Sequence, residues 1–202
     1  MPKVSDAHLQ ARRREILDAA ATCFARDGFH RTSMQDIVRE SGISAGLIYR
    51  YFAGKDDMIA AIVTEWHEHR ATLIDAARGA EQAPDADRLF SVYLDLLRSV
   101  GRPETAQDLH LGLQVWAETI RTPRIRELAR HGVDGPRAAA AETIRSAAQH
   151  GKLPTHLDAD AFARILIAVY QGLMLQTAWD DTVDNEAFVR AVETTLTALT
   201  RR

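Results

Sequence analysis

Several small groups of residues in this 202-residue chain have the types and spacing to do chemistry. Gly42-Ile43-Ser44-Ala45-Gly46 fits G-x-S-x-G, the pattern in which a strained strand-to-helix turn exposes a nucleophilic serine. His67 and His69 offer two imidazoles to a metal, and Cys23 offers one thiol. Tyr49, Arg50, Tyr51 and Lys55 form a run of phenolic and cationic donors suited to phosphate oxygens and base edges. The first three fail on context. A serine elbow needs a strand before it and a parallel sheet around it, whereas a capped helix precedes Ser44 and no strand pattern follows. Ser44 therefore reads as a helix cap. His67 and His69, two apart, point in different directions on a helix and lack an H-E-x-x-H partner set, so no metal is expected. A lone cysteine excludes an internal disulfide and a Cys-based zinc site, fits a reducing cytoplasm, and reads as a small apolar helix residue. No catalytic residues and no cofactor are expected. Gly54-Lys55 is not a phosphate-binding loop either, because Tyr49 stands where the loop's first glycine belongs.

The donors from Tyr49 to Lys55 are positioned by the stretch Thr32 to Lys55, which contains two helix starts around a tight turn. Thr32 or Ser33 can cap the first helix, with Gln35 or Asp36 three residues on in the capping-box position. Gly42 stops that helix, Ser44 opens the next, and Met34, Ile37, Val38 and Leu47, Ile48, Phe52 supply apolar residues at helical spacing on either side. This is a helix-turn-helix, the arrangement that seats a recognition helix in the DNA major groove. Ile48 and Phe52, one turn apart, face inward, which turns Ala45, Leu47, Arg50 and Tyr51 partly outward as the reading face. Ala45 and Leu47 make only apolar contacts, while Arg50 can donate two hydrogen bonds to guanine or pair with phosphate. Tyr49 and Tyr51 reach phosphates, and Lys55 at the next helix start favours a phosphate oxygen.

Composition agrees with a helical protein that meets nucleic acid at one end. Hydrophobic residues make up 46% of the chain and aromatics only 6%, with Ala, Leu and Arg recurring, which indicates an all-α fold. The net charge of −3 divides unevenly: through Lys55 there are nine Lys and Arg against six Asp and Glu, while the remainder carries −6. The polar N-terminus lacks an apolar targeting core. The most apolar run, Ala161 to Leu175, is shorter than the ~20 residues a bilayer requires and reads as a buried helix, so no membrane partner is expected and the location is cytoplasmic.

In chain order, residues 1 to about 8 are expected to be mobile. A first helix then runs from near Ala11 to Asp27, ended by Gly28 and buried along Ile16, Ala20 and Phe24. Arg12, Arg13 and Arg14 at its start are candidates for phosphate contact. A long helix from Asp56 to about Gly79 joins the head to the body. Further helices are expected near residues 86–101, 104–121, 123–150, 158–180 and 184–201, separated at Pro84, Gly101 to Pro103, Pro123, Gly151 to Pro154 and Asp180-Asp181. Gly132 to Pro136 is expected to break or kink the middle one. The division is a DNA-binding domain at 8–54 and an effector-binding and dimerisation bundle at 55–202.

The run from Phe24 to Met58 resembles the DNA-binding domain of the TetR (tetracycline repressor) family. The likeness lies in F-x-x-x-G-F from Phe24 to Phe29, Ser33 followed by Asp36-Ile37, Ser41-Gly42-Ile43-Ser44, the Tyr49 and Phe52 pair, and Lys55. It implies that Ser33, Tyr49 and Lys55 hold the DNA backbone. It also implies a dimer that reads a palindromic operator and a bundle with a small-molecule effector pocket. Val38, Glu40 and Leu47 depart from the family's usual residues, and Leu47 replaces a possible hydrogen bond with an apolar contact. Candidate pocket residues are the large or polar-tipped ones on apolar stripes: Trp66, Phe90, Tyr93, Leu97, His110, Leu113, Trp116, Tyr170, Gln171 and Met174. Each has an equally good reading as core packing. The apolar bias points to a lipophilic effector. The helix around Ala161 to Trp179 is apolar on nearly all sides and must be covered twice, with Ile165, Ala168, Gly172 and Leu175 facing a second copy beside Val192, Leu196 and Leu199 of the last helix. A helical carrier of small molecules that does not bind DNA is the rival reading.

Overall fold

The structure, a computed structural model, describes residues 6–78, 85–102 and 105–200, with side chains throughout except at 6 and 68–78. Among the described residues every regular element is an α-helix. In order these are α1 (Asp6–Asp27), α2 (Met34–Ser41), α3 (Ala45–Tyr51), α4 (Lys55–Arg78), α5 (Ala86–Ser99), α6 (Ala106–Glu118), α7 (Pro123–Gln149), α8 (Ala159–Trp179) and α9 (Asn185–Thr200). The helix starts and stops follow the capping residues closely. Gly28, Gly42, Gly101 and Gly151 all take positive φ where helices end, a conformation that costs a residue with a Cβ more than it costs glycine. α1 begins earlier than expected, at Asp6. Residues 1–5, the expected breaks at Pro84 and Pro103, and the helix end near Gly79 lie outside the described residues.

Of the break or kink expected at Gly132 to Pro136, the break does not occur: α7 continues through Pro136. Gly132 has a different purpose. A Cβ there would come within 1.9 Å of the His67 imidazole, so the glycine is a notch in which the ring of α4 lies against the α7 backbone.

Two compact units emerge. The first comprises the described chain through Trp66 together with residues 110–129; the second comprises the described residues of 67–109 and 130–202. This differs from the expected division after residue 54, because the start of α4, most of α6 and the first turns of α7 pack with the head. The first unit is built on Ile16, Phe24, Ile37, Ile48, Met58 and Val63, to which α6 and α7 add Leu111, Val115 and Ile125, all essentially buried. Burial of such side chains stabilises by about 1.5–3 kcal/mol each relative to exposure. In the second unit Phe90 and Phe162 meet edge to face with ring centroids 6.4 Å apart. The buried Tyr93 hydroxyl donates to the Leu166 carbonyl at 2.7 Å, tying α5 to α8. Asn185 caps the far end of α5 by donating to the Val100 carbonyl at 2.7 Å. Arg98 on α5 pairs with Glu193 on α9.

Candidate nucleic-acid interface

The head is assembled from its caps inward. Ser33 is the N-cap of α2 and forms a complete capping box. The Asp36 N–H donates to Ser33 Oγ at 3.2 Å, while the Ser33 N–H and hydroxyl both donate to the Asp36 carboxylate at 2.8 and 2.6 Å. These bonds, the Ser33 hydroxyl first, hold the Asp36 carboxyl below its usual range. Gly42, with φ 65°, closes α2 by donating its N–H to the Val38 carbonyl and turns the chain into α3. Ile48 and Phe52, both buried, fasten α3 to the core as the spacing predicts.

The outward residues divide into two sets. Ser44 at the start of α3 and Ala45, Tyr49 and Arg50 along it are exposed, Tyr49 to 54%. Leu47 and Tyr51 are half-buried, with one side against the head core and the other partly outward. Ser44 occupies the N-cap position, but its hydroxyl makes no cap bond, which corrects the reading of this serine as a side-chain cap. Since α2 rather than a strand precedes it, the G-x-S-x-G pattern has no nucleophile-elbow geometry. Lys55 is drawn inward: Nζ donates to the Phe29 and Thr32 carbonyls at 2.8 and 2.7 Å, which fixes the turn leading into α2 and leaves one of its three N–H groups.

Sequence reasoning missed the braces around this surface. Arg13 pairs with Glu65 of α4 at 2.5 Å and lies over the Phe52 ring, 5.3 Å from its centroid. Arg14 pairs with the same Glu65 and with Asp18, and Arg12 with Glu15. Arg13 and Arg14 therefore tie α1 to α4, while Arg12 pairs within α1. From the later sequence, Gln114 bonds the end of α1, Glu118 meets His30 at 3.1 Å, and Arg124 reaches Asp57 at 3.0 Å. The Arg124 guanidinium and the Ala53 N–H hold the Asp57 carboxyl below its usual range. Only a charge of the right sign signalled any of these partners in advance. Cys23 is buried, and burial pushes its thiol pKa up, as befits an apolar packing residue.

The family described as "Bacterial regulatory proteins, tetR family" matches residues 16–62, the stretch that contains the helix-turn-helix of this head. "BetI-type transcriptional repressor, C-terminal" matches residues 85–201, more than half of the chain. The chain belongs to the TetR family. Among its relatives is the HTH-type transcriptional repressor Rv1474c of Mycobacterium tuberculosis, 31% identical over 184 residues that span 88% of either chain. Similar solved structures include Salmonella enterica GusR, with a TM-score of 0.74 and 27% identity over 98% of this chain and 99% of that one. Another is a transcriptional regulator from Saccharomonospora viridis in complex with choline, with a TM-score of 0.77 and 25% identity over 96% of this chain and 100% of that one. The chain is accordingly a helix-turn-helix transcriptional regulator of a repressor family whose members bind DNA and effectors and typically dimerise.

The residues expected to serve the effector and the dimer can be placed unit by unit. In the first unit of this TetR-family chain, Trp66, Leu113 and Trp116 are half-buried. His110, expected as a buried polar group, is exposed on α6, which corrects that expectation. In the second unit Phe90, Tyr93, Leu97 and Met174 are buried, and Tyr170 and Gln171 are half-buried. Burial pushes the Tyr93 phenol upward in pKa, so the hydroxyl is a fixed donor to Leu166. On α8, Ile165 (53%), Leu175 (55%) and Trp179 (69%) are exposed, with Ala168 beside them and Gly172 half-exposed. Val192 and Leu199 on α9 are half-buried. Leu196, expected at the face toward a partner, is only 5% exposed and belongs to the packing of α9 within its own chain, so it is corrected to a core residue. α8 has 21 residues and is long and apolar enough to cross a membrane, but Phe162, Ala163, Leu166, Leu173 and Met174 bury one side of it within the unit.

Proposed function

We propose that this TetR-family chain is a homodimeric cytoplasmic repressor that holds a palindromic operator in its free state and releases it when a small lipophilic molecule binds the helical body. The observation that carries the DNA-binding part is the exposed row Ser44, Ala45, Tyr49 and Arg50 on a helix anchored from behind by Ile48 and Phe52. Tyr49 and the remaining Lys55 N–H hold phosphates, Ser33 sits at the adjacent helix start, and Arg50 reads a base edge. Dimerisation is supported by the open α8 face at Ile165, Ala168, Leu175 and Trp179. Two-fold pairing there would give two recognition helices, one for each half of the operator. That the effector is a small molecule is supported by family membership and by the choline complex of the similar Saccharomonospora regulator, and its lipophilic character by the apolar lining of the body alone. Selection of duplexes from a random library by the full chain tests the proposal. Enrichment of an inverted repeat is expected, and enrichment of a single unrepeated half-site, or of nothing, contradicts it.

A further inference from the structure

The end of α1 is completed by a side chain from far along the sequence. Gln114, on α6, donates from Nε2 to the Phe24 carbonyl at 2.9 Å and accepts at Oε1 from the Phe29 N–H at 3.0 Å. A primary amide carries the same donor and acceptor as a peptide unit, so Gln114 stands in for the backbone that a terminating helix lacks. The Phe24 carbonyl also accepts from the Gly28 N–H at 2.9 Å, where the chain reverses at φ 85°. The Phe29 carbonyl accepts from Lys55. Both backbone polar groups of Phe29 are thus held by side chains, one from α6 and one from α4. Three residues later Thr32, itself buried with its hydroxyl on the Cys23 and Gly28 carbonyls, delivers the chain to the Ser33 cap of α2. Leu111 and Val115, on either side of Gln114 along α6, are buried in the core that carries Ile48 and Phe52. Gln114 therefore joins the packed face of α6 directly to the turn that sets where α2, and behind it α3, can stand.

We propose that Gln114 is a positioning residue for operator recognition, contributed by the sequence that the BetI-type C-terminal family covers. It rests on the DNA-binding reading above. Gln114 touches no phosphate in this account, so its loss changes the aim of the recognition helix and leaves the charge of the interface unaltered. The test uses Gln114→Leu in the full chain, with binding measured on the library-selected duplex and on a random duplex across a salt series. Operator affinity is expected to fall by about tenfold, as for two lost hydrogen bonds at a partly buried site. Affinity for random duplex should stay within about twofold, and the salt slope should be unchanged, because the phosphate contacts remain. Amide exchange at Phe29 in the free protein should accelerate as well. An operator-to-random ratio equal to that of the unmodified chain overturns the proposal. If the leucine variant melts below the assay temperature, Gln114→Glu, which keeps the acceptor for Phe29 and removes the donor to Phe24, is judged by the same ratio and the same criterion. An unmodified chain that binds no duplex overturns the DNA-binding reading and this proposal with it, whereas normal binding with an unchanged variant ratio overturns this proposal alone.

Discussion

At the scale of single residues the head contains polar side chains with two tasks. Ser33 and Lys55, which the resemblance would place on the DNA backbone, are both bound internally, Ser33 to Asp36 and Lys55 to two carbonyls. Tyr49→Ala should therefore weaken operator and random DNA alike without affecting folding. Lys55→Ala should do the same and lower thermal stability too, because the Phe29 and Thr32 carbonyls lose their partner. Arg50→Ala should mainly change which sequence is preferred, and competition between operator and random duplex would show equal losses if that assignment is wrong. The capping box adds a pH signature. The Asp36 carboxyl titrates below its unfolded value, so its stabilisation is fully present above the ordinary carboxylate range and disappears as pH falls through the lowered folded value. Ser33→Ala should lower the melting temperature by roughly 2–4 °C at neutral pH. That gap should close in acid, and a gap that stayed constant down to pH 2 would refute the box as its origin. The cap was legible because Ser-x-x-Asp has a local meaning. The internal bonds of Lys55 were not, since an ammonium at a helix start has the same sequence whether it faces phosphate or carbonyl.

At the scale of elements, helix limits were readable almost throughout because each follows from a nearby cap, glycine or proline. At Gly132 to Pro136, where glycine and proline together suggested a break or a kink, α7 runs on without a break. A helix buried against neighbours tolerates one missing N–H, and the glycine is explained by the His67 ring that occupies the space of its Cβ. Gly132→Ala is accordingly expected to destabilise the protein by about 1–3 kcal/mol despite the better helix propensity of alanine. Denaturant melts check this, and a stabilised alanine variant would show that the ring moves aside freely. In the recognition helix the spacing turned Ile48 and Phe52 inward and Leu47 and Tyr51 partly outward, and the latter two are half-buried against the core. Periodicity alone gives which side of a seven-residue helix is innermost, but not how far its flanking residues are covered.

At the scale of the whole molecule, the charge division and the apolar character of α8 were visible in composition, whereas the packing partners were not. Residues 110–129 join the head through Leu111, Val115 and Ile125, contacts between positions some 50–100 apart that no local pattern encodes. The same holds for Leu196, which has the spacing of an interface residue and is buried by its own chain. The exposed α8 face remains the best candidate for a partner: Ile165→Glu with Leu175→Glu should shift the protein to monomers in sedimentation and reduce operator affinity by at least about tenfold, since one head then binds alone. A dimer of unchanged stability would move the interface elsewhere. Salt dependence of binding tests whether the exposed α3 row meets duplex DNA. Fluorescence anisotropy on a library-selected duplex should give a log affinity that falls linearly with log salt, with a slope near −0.9 per phosphate held, and Tyr49→Ala should weaken binding at every salt concentration. Absence of binding to any duplex at low salt, in the presence and absence of small molecules, would contradict the account.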